Sequence, residues 1–130
     1  MSNRVTHFEI MSDDPKANIK FFKSVFGWKF IEFDKGNYWL AETGTGKVGI
    51  NGAIMKQMGV EQPVINTIEV EDIDKTIKKI AKAGGEIVKG KEAIPKVGWL
   101  TFFLILMELF MVLCSRIKKL NNVFLIKWFF

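Results

Sequence analysis

A chain of 130 residues has the length of one compact domain or of two small modules that share a core. Apolar residues make up 48% of the chain and charged residues 25%, a composition that excludes a disordered protein. The net charge of +5 does not indicate a nucleic-acid partner, because the basic residues are scattered over predicted helices and loops and no recognition motif accompanies them. The single cysteine, Cys114, cannot form an internal disulfide, and no signal segment follows Met1, so we expect a cytoplasmic protein.

Residues 1–58 predict a βαβββ module. The segment from Arg4 to Met11 favours a strand, whose alternation places His7 and Glu9 on one face. The sequence Asp-Asp-Pro at residues 13–15 is typical of a helix start, and Gly27 suits the end of that helix. Turn-forming compositions then separate three predicted strands, which cover residues 28–33, 37–42 and 47–56.

A second, similar unit begins after a predicted linker near residues 59–63. Residues 64–71 predict a strand, Asp72 a helix start, and Glu86 the beginning of another strand. A shift of 58 positions aligns the two halves, which indicates an internal repeat of one supersecondary unit. The aligned pairs are Ile10 with Ile68, Asp14 with Asp72, Ile19 with Ile77, Phe22 with Ile80 and Gly27 with Gly85.

Two stretches of the chain carry a family resemblance: VTHFEIMSDDPKANIKFFKSVFGWKFIEF and VINTIEVEDIDKTIKKIAKAGGEIV. They resemble the paired modules of the vicinal oxygen chelate superfamily, which includes glyoxalases, bleomycin resistance proteins and dioxygenases. The resemblance covers about Val5 to Phe103 and implies an α+β fold of paired βαβββ modules that form an open, barrel-like cup. It also implies a small-molecule ligand, a homodimer and, for an enzyme, lyase, isomerase or dioxygenase chemistry.

His7 occupies the first-strand position from which metal-binding members of this family take a ligand. Imidazole suits a divalent metal, but the other corresponding positions, near Ile65, Asn66 and Asn51, offer no carboxylate, so a full ligand set is missing. Three roles stay open for His7: a hydrogen-bonding residue of the cup, a substrate-contacting or acid–base residue, and a metal ligand. Glu9 is either a general base whose pKa burial raises or a solvated, salt-bridged glutamate.

Five further residues are candidates for substrate binding on the wall of the cup. The aromatic members either line a pocket or simply fill the core, and both alternatives stay open. The expected ligand is a small organic molecule, and a non-enzymatic binding dimer is the alternative to an enzyme. The five residues are Trp28, Tyr38, Asn51, Asn66 and Trp99.

Residues 99–115, WLTFFLILMELFMVLCS, form an apolar run unlike the rest of the chain. A tail anchor in a membrane and a buried helix are two explanations, and the central Glu108 disfavours the anchor. A third is a change of reading frame, because one choice of codons for Leu104 to Ser115 encodes NTDGTIYGVMQ in a shifted frame. The family resemblance implies such an Asp-Gly turn and final strand, and the same shift can create a stop codon across residues 121–122.

The frameshift hypothesis divides the chain into three parts. We expect a first module over residues 1–58, the start of a second module over residues 59–103, and an aberrant apolar tail over residues 104–130. Loss of the native last hairpin would leave the second module incomplete, with an exposed apolar edge.

Overall fold

The computed structural model describes residues 3–59 and 61–116. The chain divides into two compact units, which we call the first unit, His7–Val64, and the second unit, made of residues 3–6 and 65–116. Each unit combines four strands with one α-helix in the order βαβββ. The predicted α+β fold of paired βαβββ modules is therefore confirmed.

The first unit is a four-stranded sheet in the order β2-β3-β4-β1, with α1 packed on one face. Strands β1 and β4 are parallel, whereas β3 is antiparallel to both β2 and β4. Ile19 of the helix packs against Trp39 and Ile54 of the sheet, which makes the core of this unit. The elements are β1 (Arg4–Ser12), α1 (Pro15–Phe26), β2 (Lys29–Asp34), β3 (Tyr38–Glu42) and β4 (Gly52–Lys56).

Helix α1 begins and ends at the residues that its sequence predicts. The Asp14 side chain accepts a hydrogen bond from the backbone N–H of Ala17 at 3.1 Å, which satisfies a donor left free in the first turn. Gly27 follows the last turn in the left-handed region, with φ +69°. Both ends of the helix are thus set by local chemistry.

Strand β4 is shorter than its sequence predicts, because the residues from 47 to 51 belong to a loop. The Thr43 hydroxyl donates to the backbone carbonyl of Ile50 at 2.6 Å, and the Asn51 side-chain oxygen accepts from the Thr43 backbone N–H at 3.0 Å. Gly49 has a φ of +97°, which an extended strand does not use. These hydrogen bonds close residues 43–51 into a loop, and the prediction of a strand over residues 47–51 is wrong.

The second unit repeats the arrangement of the first. Its sheet order is β5-β8-β7-β6, with β5 parallel to β8, as β1 is parallel to β4 in the first unit. The Asp72 side chain accepts from the Lys75 backbone N–H at 3.0 Å, so the repeated aspartates cap the helices of both units. The elements are β5 (Val64–Glu69), α2 (Ile73–Lys82), β6 (Glu86–Ile94), β7 (Gly98–Leu104), a 3₁₀ turn (Leu106–Glu108) and β8 (Phe110–Arg116).

The second unit has its fourth strand, contrary to the expectation that the module stops at residue 103. Strand β8 pairs with β7 from Gly98↔Arg116 to Leu104↔Phe110. The apolar run 99–115 forms most of β7, the turn and most of β8, because its aromatic and aliphatic side chains favour strands. Leu113 packs in the core beneath α2. Within residues 3–59 and 61–116, no helix is long and apolar enough to span a membrane. Residues 117–130 of the expected tail lie outside the described part of the chain.

Two residues in the connection from β7 to β8 have unfavourable backbone conformations. Met107 has a φ of +67° and Glu108 a φ of +59°, so both lie in the left-handed region. For a residue with a Cβ this region costs roughly 1–2 kcal/mol, and Gly, Asn and Asp are the residues that occupy it readily. The sequence at this turn therefore does not suit the backbone that the two strands require.

We predict that Glu108→Gly raises the free energy of unfolding by about 1 kcal/mol, because glycine occupies the left-handed region without a Cβ clash. Urea denaturation measures the change. The matched control is Leu109→Gly at the next residue, whose φ of −90° gives glycine no such advantage, so this variant should be less stable than the wild type. Equal effects of the two substitutions would contradict the prediction.

Candidate functional site

The face of the first sheet that points away from α1 brings together His7, Glu9 and Tyr38, which we call the polar cluster. Strand alternation explains this placement. Ile10 and Trp39 pack toward α1, so the residues beside them in β1 and β3 point to the other face. The predicted common face of His7 and Glu9 agrees with their hydrogen-bonding geometry.

One hydroxyl group links the two other members of the polar cluster. The Tyr38 hydroxyl lies 2.5 Å from Glu9 Oε2 and 3.0 Å from His7 Nε2. His7 Nε2 and Glu9 Oε2 are themselves 4.0 Å apart. The His7 side chain is 3% exposed and the Glu9 side chain 18%, so these interactions are largely shielded from water.

The strand between Tyr38 and Glu9 carries a small residue next to Glu9. Strand β4 runs between β1 and β3, and its Ala53 is paired with Glu9 on one side and with Leu40 on the other. Ala53 is fully buried, and its methyl group occupies little of the space above the strand. Tyr38 is paired with Met55 on β4, so its side chain reaches Glu9 diagonally across that strand.

Burial changes the proton affinity of each member of the polar cluster. It lowers the pKa of His7 to about 4, so the imidazole is neutral at pH 7. Burial raises the pKa of Glu9, and the hydrogen bond from Tyr38 partly opposes that increase. Burial and the nearby Glu9 carboxylate raise the pKa of Tyr38 well above its usual value, which keeps the phenol protonated. Glu9 is consequently the member whose titration moves toward neutral pH.

Tyr38 also lines a pocket of about 260 Å³ in the first unit. Met55 and Met58 contribute apolar, adaptable side chains to its wall, and Asp34 and Lys56 contribute opposite charges. The sequence did not indicate these four residues, because Asp34, Met55 and Lys56 lie in the last turn-facing positions of β2 and β4 and Met58 lies in the loop after β4, where periodicity carries little information. A small molecule in this pocket would contact the same tyrosine that binds Glu9 and His7.

The polar cluster does not fit a divalent metal site. An open catalytic metal site takes about three protein ligands, and the described ranges contain no group of three or more His, Cys, Asp or Glu side chains that could hold an ion. Tyr38 also occupies the position between His7 Nε2 and Glu9 Oε2, the two donors that are present.

Two of the predicted substrate-binding residues have structural contacts elsewhere in the first unit. The Trp28 ring stacks on Phe22 of α1, with ring centroids 4.5 Å apart and an interplanar angle of 4°, on the face opposite the polar cluster. Asn51 binds the Thr43 backbone N–H and closes the loop before β4. Neither side chain is brought to His7.

The other two predicted residues lie in the second unit. Asn66 is exposed on β5. Trp99, on β7, is 40% exposed, and Lys91 Nζ lies 4.7 Å from its ring centroid in a cation–π contact. Of the seven candidate residues, the structure thus brings three together, namely His7, Glu9 and Tyr38.

We predict that the free energy of unfolding falls between pH 6.5 and pH 4 because the folded protein resists protonation of His7. Histidine in an unfolded chain has a pKa near 6.5, whereas burial holds His7 at about 4. The stabilisation is therefore fully present above pH 6.5 and is lost as pH falls through the folded-state pKa, a total on the order of 3 kcal/mol. Urea denaturation at a series of pH values measures it.

The variant His7→Gln provides the comparison for this pH dependence. It retains a side-chain amide that can bond to Tyr38 but has no group that titrates in this range. His7 is the chain's single histidine, so the difference between the two pH profiles isolates its contribution. Parallel profiles for the wild type and His7→Gln would contradict the prediction.

The fold is similar to several solved structures at low sequence identity. A hypothetical protein from Bacillus halodurans C-125 has a TM-score of 0.68 and 14% identity, over 94% of this chain and 100% of that one. A glyoxalase/bleomycin resistance protein/dioxygenase superfamily member from Vibrio splendidus 12B01 has a TM-score of 0.63 and 15% identity, over 88% and 99%. Methylmalonyl-CoA epimerase from Mycobacterium tuberculosis has a TM-score of 0.67 and 12% identity, over 89% of each chain.

Similarity at this level of identity establishes the fold alone. Among curated proteins, none matches the sequence. A family model described as Glyoxalase/Bleomycin resistance protein/Dioxygenase superfamily matches residues 4–102, which is more than half of the chain. The chain therefore belongs to the glyoxalase/bleomycin resistance protein/dioxygenase superfamily.

Proposed function

We propose that this protein binds a small organic molecule beside the polar cluster and that Glu9 transfers a proton to and from it. One observation carries the proposal: the tyrosine that hydrogen-bonds to half-buried Glu9 and buried His7 also lines the pocket of about 260 Å³. Tyr38 is the member of the polar cluster that lines the pocket, and a pocket next to titratable groups with shifted pKa values is the usual first hypothesis for a small-molecule site.

The chemistry that suits this site is proton exchange at a carbon next to a carbonyl group. Glu9 would remove the proton from that carbon, and the electron pair of the C–H bond would move to the carbonyl oxygen as an enolate. Return of the proton to the carbon regenerates the carbonyl compound and ionised Glu9, with the same or the opposite configuration. A carboxylate whose pKa is raised by burial is a stronger base for this step. The methylmalonyl-CoA epimerase among the similar structures is, by its name, an enzyme that changes configuration.

A non-enzymatic binding protein is the second candidate function. The ring of Phe33 lies 6.1 Å from that of Tyr38 and Phe33 is 47% exposed, so the two rings offer an aromatic wall to a flat or cationic ligand. The described residues also contain no group of three or more His, Cys, Asp or Glu side chains that could bind the metal of a metal-dependent enzyme. Binding without turnover would use these apolar contacts and leave Glu9 as a hydrogen-bonding residue.

The proposal includes a cytoplasmic location and a homodimer, the assembly that the family resemblance implies. Cys114 is buried, and burial raises the pKa of its thiol to about 12, so it offers no reactive thiolate. This property is consistent with a cytoplasmic protein that uses no disulfide.

Two probes separate the enzyme from the binding protein. With methylmalonyl-CoA in D₂O, we expect the protein to accelerate deuterium incorporation next to the thioester, and Glu9→Gln to reduce that acceleration roughly 100-fold or more, because it removes the base. NMR measures the exchange. Glu32→Gln, an exposed glutamate of the same sheet, is the matched control and should behave as the wild type.

Bleomycin is the second probe, chosen because the family description names resistance to it. A rise in Tm with bleomycin and no deuterium exchange with methylmalonyl-CoA would favour the binding protein. Exchange that is equally fast in the wild type and in Glu9→Gln would contradict the role proposed for Glu9.

We also propose that a change of reading frame produced residues 104–130. Two observations support it: the family match ends at residue 102, and the turn places Met107 and Glu108 in the left-handed region. The choice of codons given above would encode an Asp-Gly pair in the shifted frame across residues 106–108, and those residue types suit such a turn. The residues in the present frame still form β8, because an apolar strand needs little more than the right alternation and β-forming side chains.

Sequencing the coding DNA across the codons of residues 103–123 tests this proposal. We expect the shifted frame to read Asn-Thr-Asp-Gly-Thr-Ile-Tyr-Gly-Val-Met-Gln and then to reach a stop codon. Mass spectrometry of the carboxyl-terminal peptide shows which ending the cell makes. Codons that yield no strand-forming sequence in either other frame would rule the proposal out.

A further inference from the structure

The polar cluster contains a single shared hydroxyl proton. A phenol donates one hydrogen bond, and its oxygen can accept others. The Tyr38 hydroxyl lies within hydrogen-bond distance of Glu9 Oε2, at 2.5 Å, and of His7 Nε2, at 3.0 Å. Tyr38 can donate to only one of these atoms at a time, so the directions of the two hydrogen bonds depend on each other.

When Glu9 is ionised, the directions are fixed by its charge. A carboxylate only accepts hydrogen bonds, so Tyr38 donates to Glu9 Oε2. The Tyr38 oxygen then accepts from His7 Nε2, and this requires the tautomer of His7 that carries its proton on Nε2.

When Glu9 is protonated on Oε2, the chain of hydrogen bonds reverses. Glu9 donates to the Tyr38 oxygen, and Tyr38 donates to His7 Nε2. His7 must then carry its proton on Nδ1. Compared with the ionised state, the cluster has gained one proton from solvent. An O–H bond has formed at Glu9, and the one N–H bond of neutral His7 has moved from Nε2 to Nδ1.

We infer that Tyr38 is a positioning residue that couples the protonation state of Glu9 to the tautomer of His7. The geometry of the three side chains carries this inference, and the deep burial of His7 supports it, because a buried imidazole responds by changing tautomer and not by becoming charged. This coupling serves the proton transfer proposed for Glu9 and in that respect rests on the proposed function. It gives the Glu9 carboxyl group a hydrogen-bond partner both before and after it takes up a proton.

Two charged side chains line the pocket next to the polar cluster. Strand β1 contributes His7 and Glu9, and β3 contributes Tyr38. Beyond Tyr38, the pocket adds Asp34 at the end of β2 and Lys56 at the end of β4. Asp34 is the carboxyl group of the pocket, so a control variant at this residue is needed beside Glu9.

The composition of the chain provides a direct test. His7 is the single histidine, so protein labelled with ¹⁵N-histidine reports one imidazole, and the shifts of its two nitrogens distinguish the tautomers. Carboxyl ¹³C labelling of glutamate follows the titration of Glu9 in the same protein. We expect the Nε2–H tautomer above the pKa of Glu9 and the Nδ1–H tautomer to become dominant as pH falls through it, above the pH near 4 at which His7 itself is protonated.

Three variants locate the coupling. Tyr38→Phe should lose the tautomer change while Glu9 still titrates, and Glu9→Gln should hold one tautomer throughout this pH range. Asp34→Asn is the matched control, because it neutralises a nearby carboxyl group outside the cluster, and it should keep the wild-type change.

A single His7 tautomer across the titration of Glu9 in the wild type would overturn the inference, whether or not the variants fold. An unchanged tautomer switch in Tyr38→Phe would overturn it as well. No ligand is present in these measurements, so their failure is distinguishable from a failure of the proposed function, which depends on deuterium exchange or on ligand binding.

Discussion

A single phenolic proton, held between a half-buried carboxyl group and a buried imidazole, constrains the site. Because Tyr38 can donate to only one partner, the ionisation of Glu9 and the hydrogen bonding of His7 are not independent. Low exposure strengthens each of these hydrogen bonds and makes an unpaired polar atom costly. The polar cluster therefore behaves as one unit, and the proton transfer proposed for Glu9 is a property of all three side chains.

The fold serves this cluster in two ways. The helix covers one face of the first sheet with apolar contacts around Ile19, so the other face is available for polar side chains. The parallel pairing of β1 with β4, and the antiparallel pairing of β4 with β3, then place Tyr38 and Glu9 on two strands that are separated by β4. The pocket beyond Tyr38 gives the same tyrosine access to a ligand.

The second unit shows that different sequences can form the same βαβββ module. The repeated aspartates at positions 14 and 72 cap the two helices in the same way, although most other positions differ between the halves. Strand β8 forms from an apolar run with no family signature, because pairing with β7 and burial of residues such as Leu113 satisfy the backbone and the core. The turn before β8 is less tolerant, since two left-handed residues require side chains that Met107 and Glu108 do not provide.

Local chemistry allowed the sequence by itself to determine much of the first unit. A capping aspartate, a terminal glycine and a two-residue alternation each act over a few neighbouring residues, so α1, β1 and the common face of His7 and Glu9 were predictable. Tertiary structure alone decided that Tyr38, 29 residues beyond Glu9 in the chain, contacts both Glu9 and His7. It likewise decided that Trp28 packs on α1 and that Asn51 closes a loop. It also decided that residues 110–116 complete the second sheet. These features depend on strand order and register, which bring distant residues together and leave no periodic signal in the sequence.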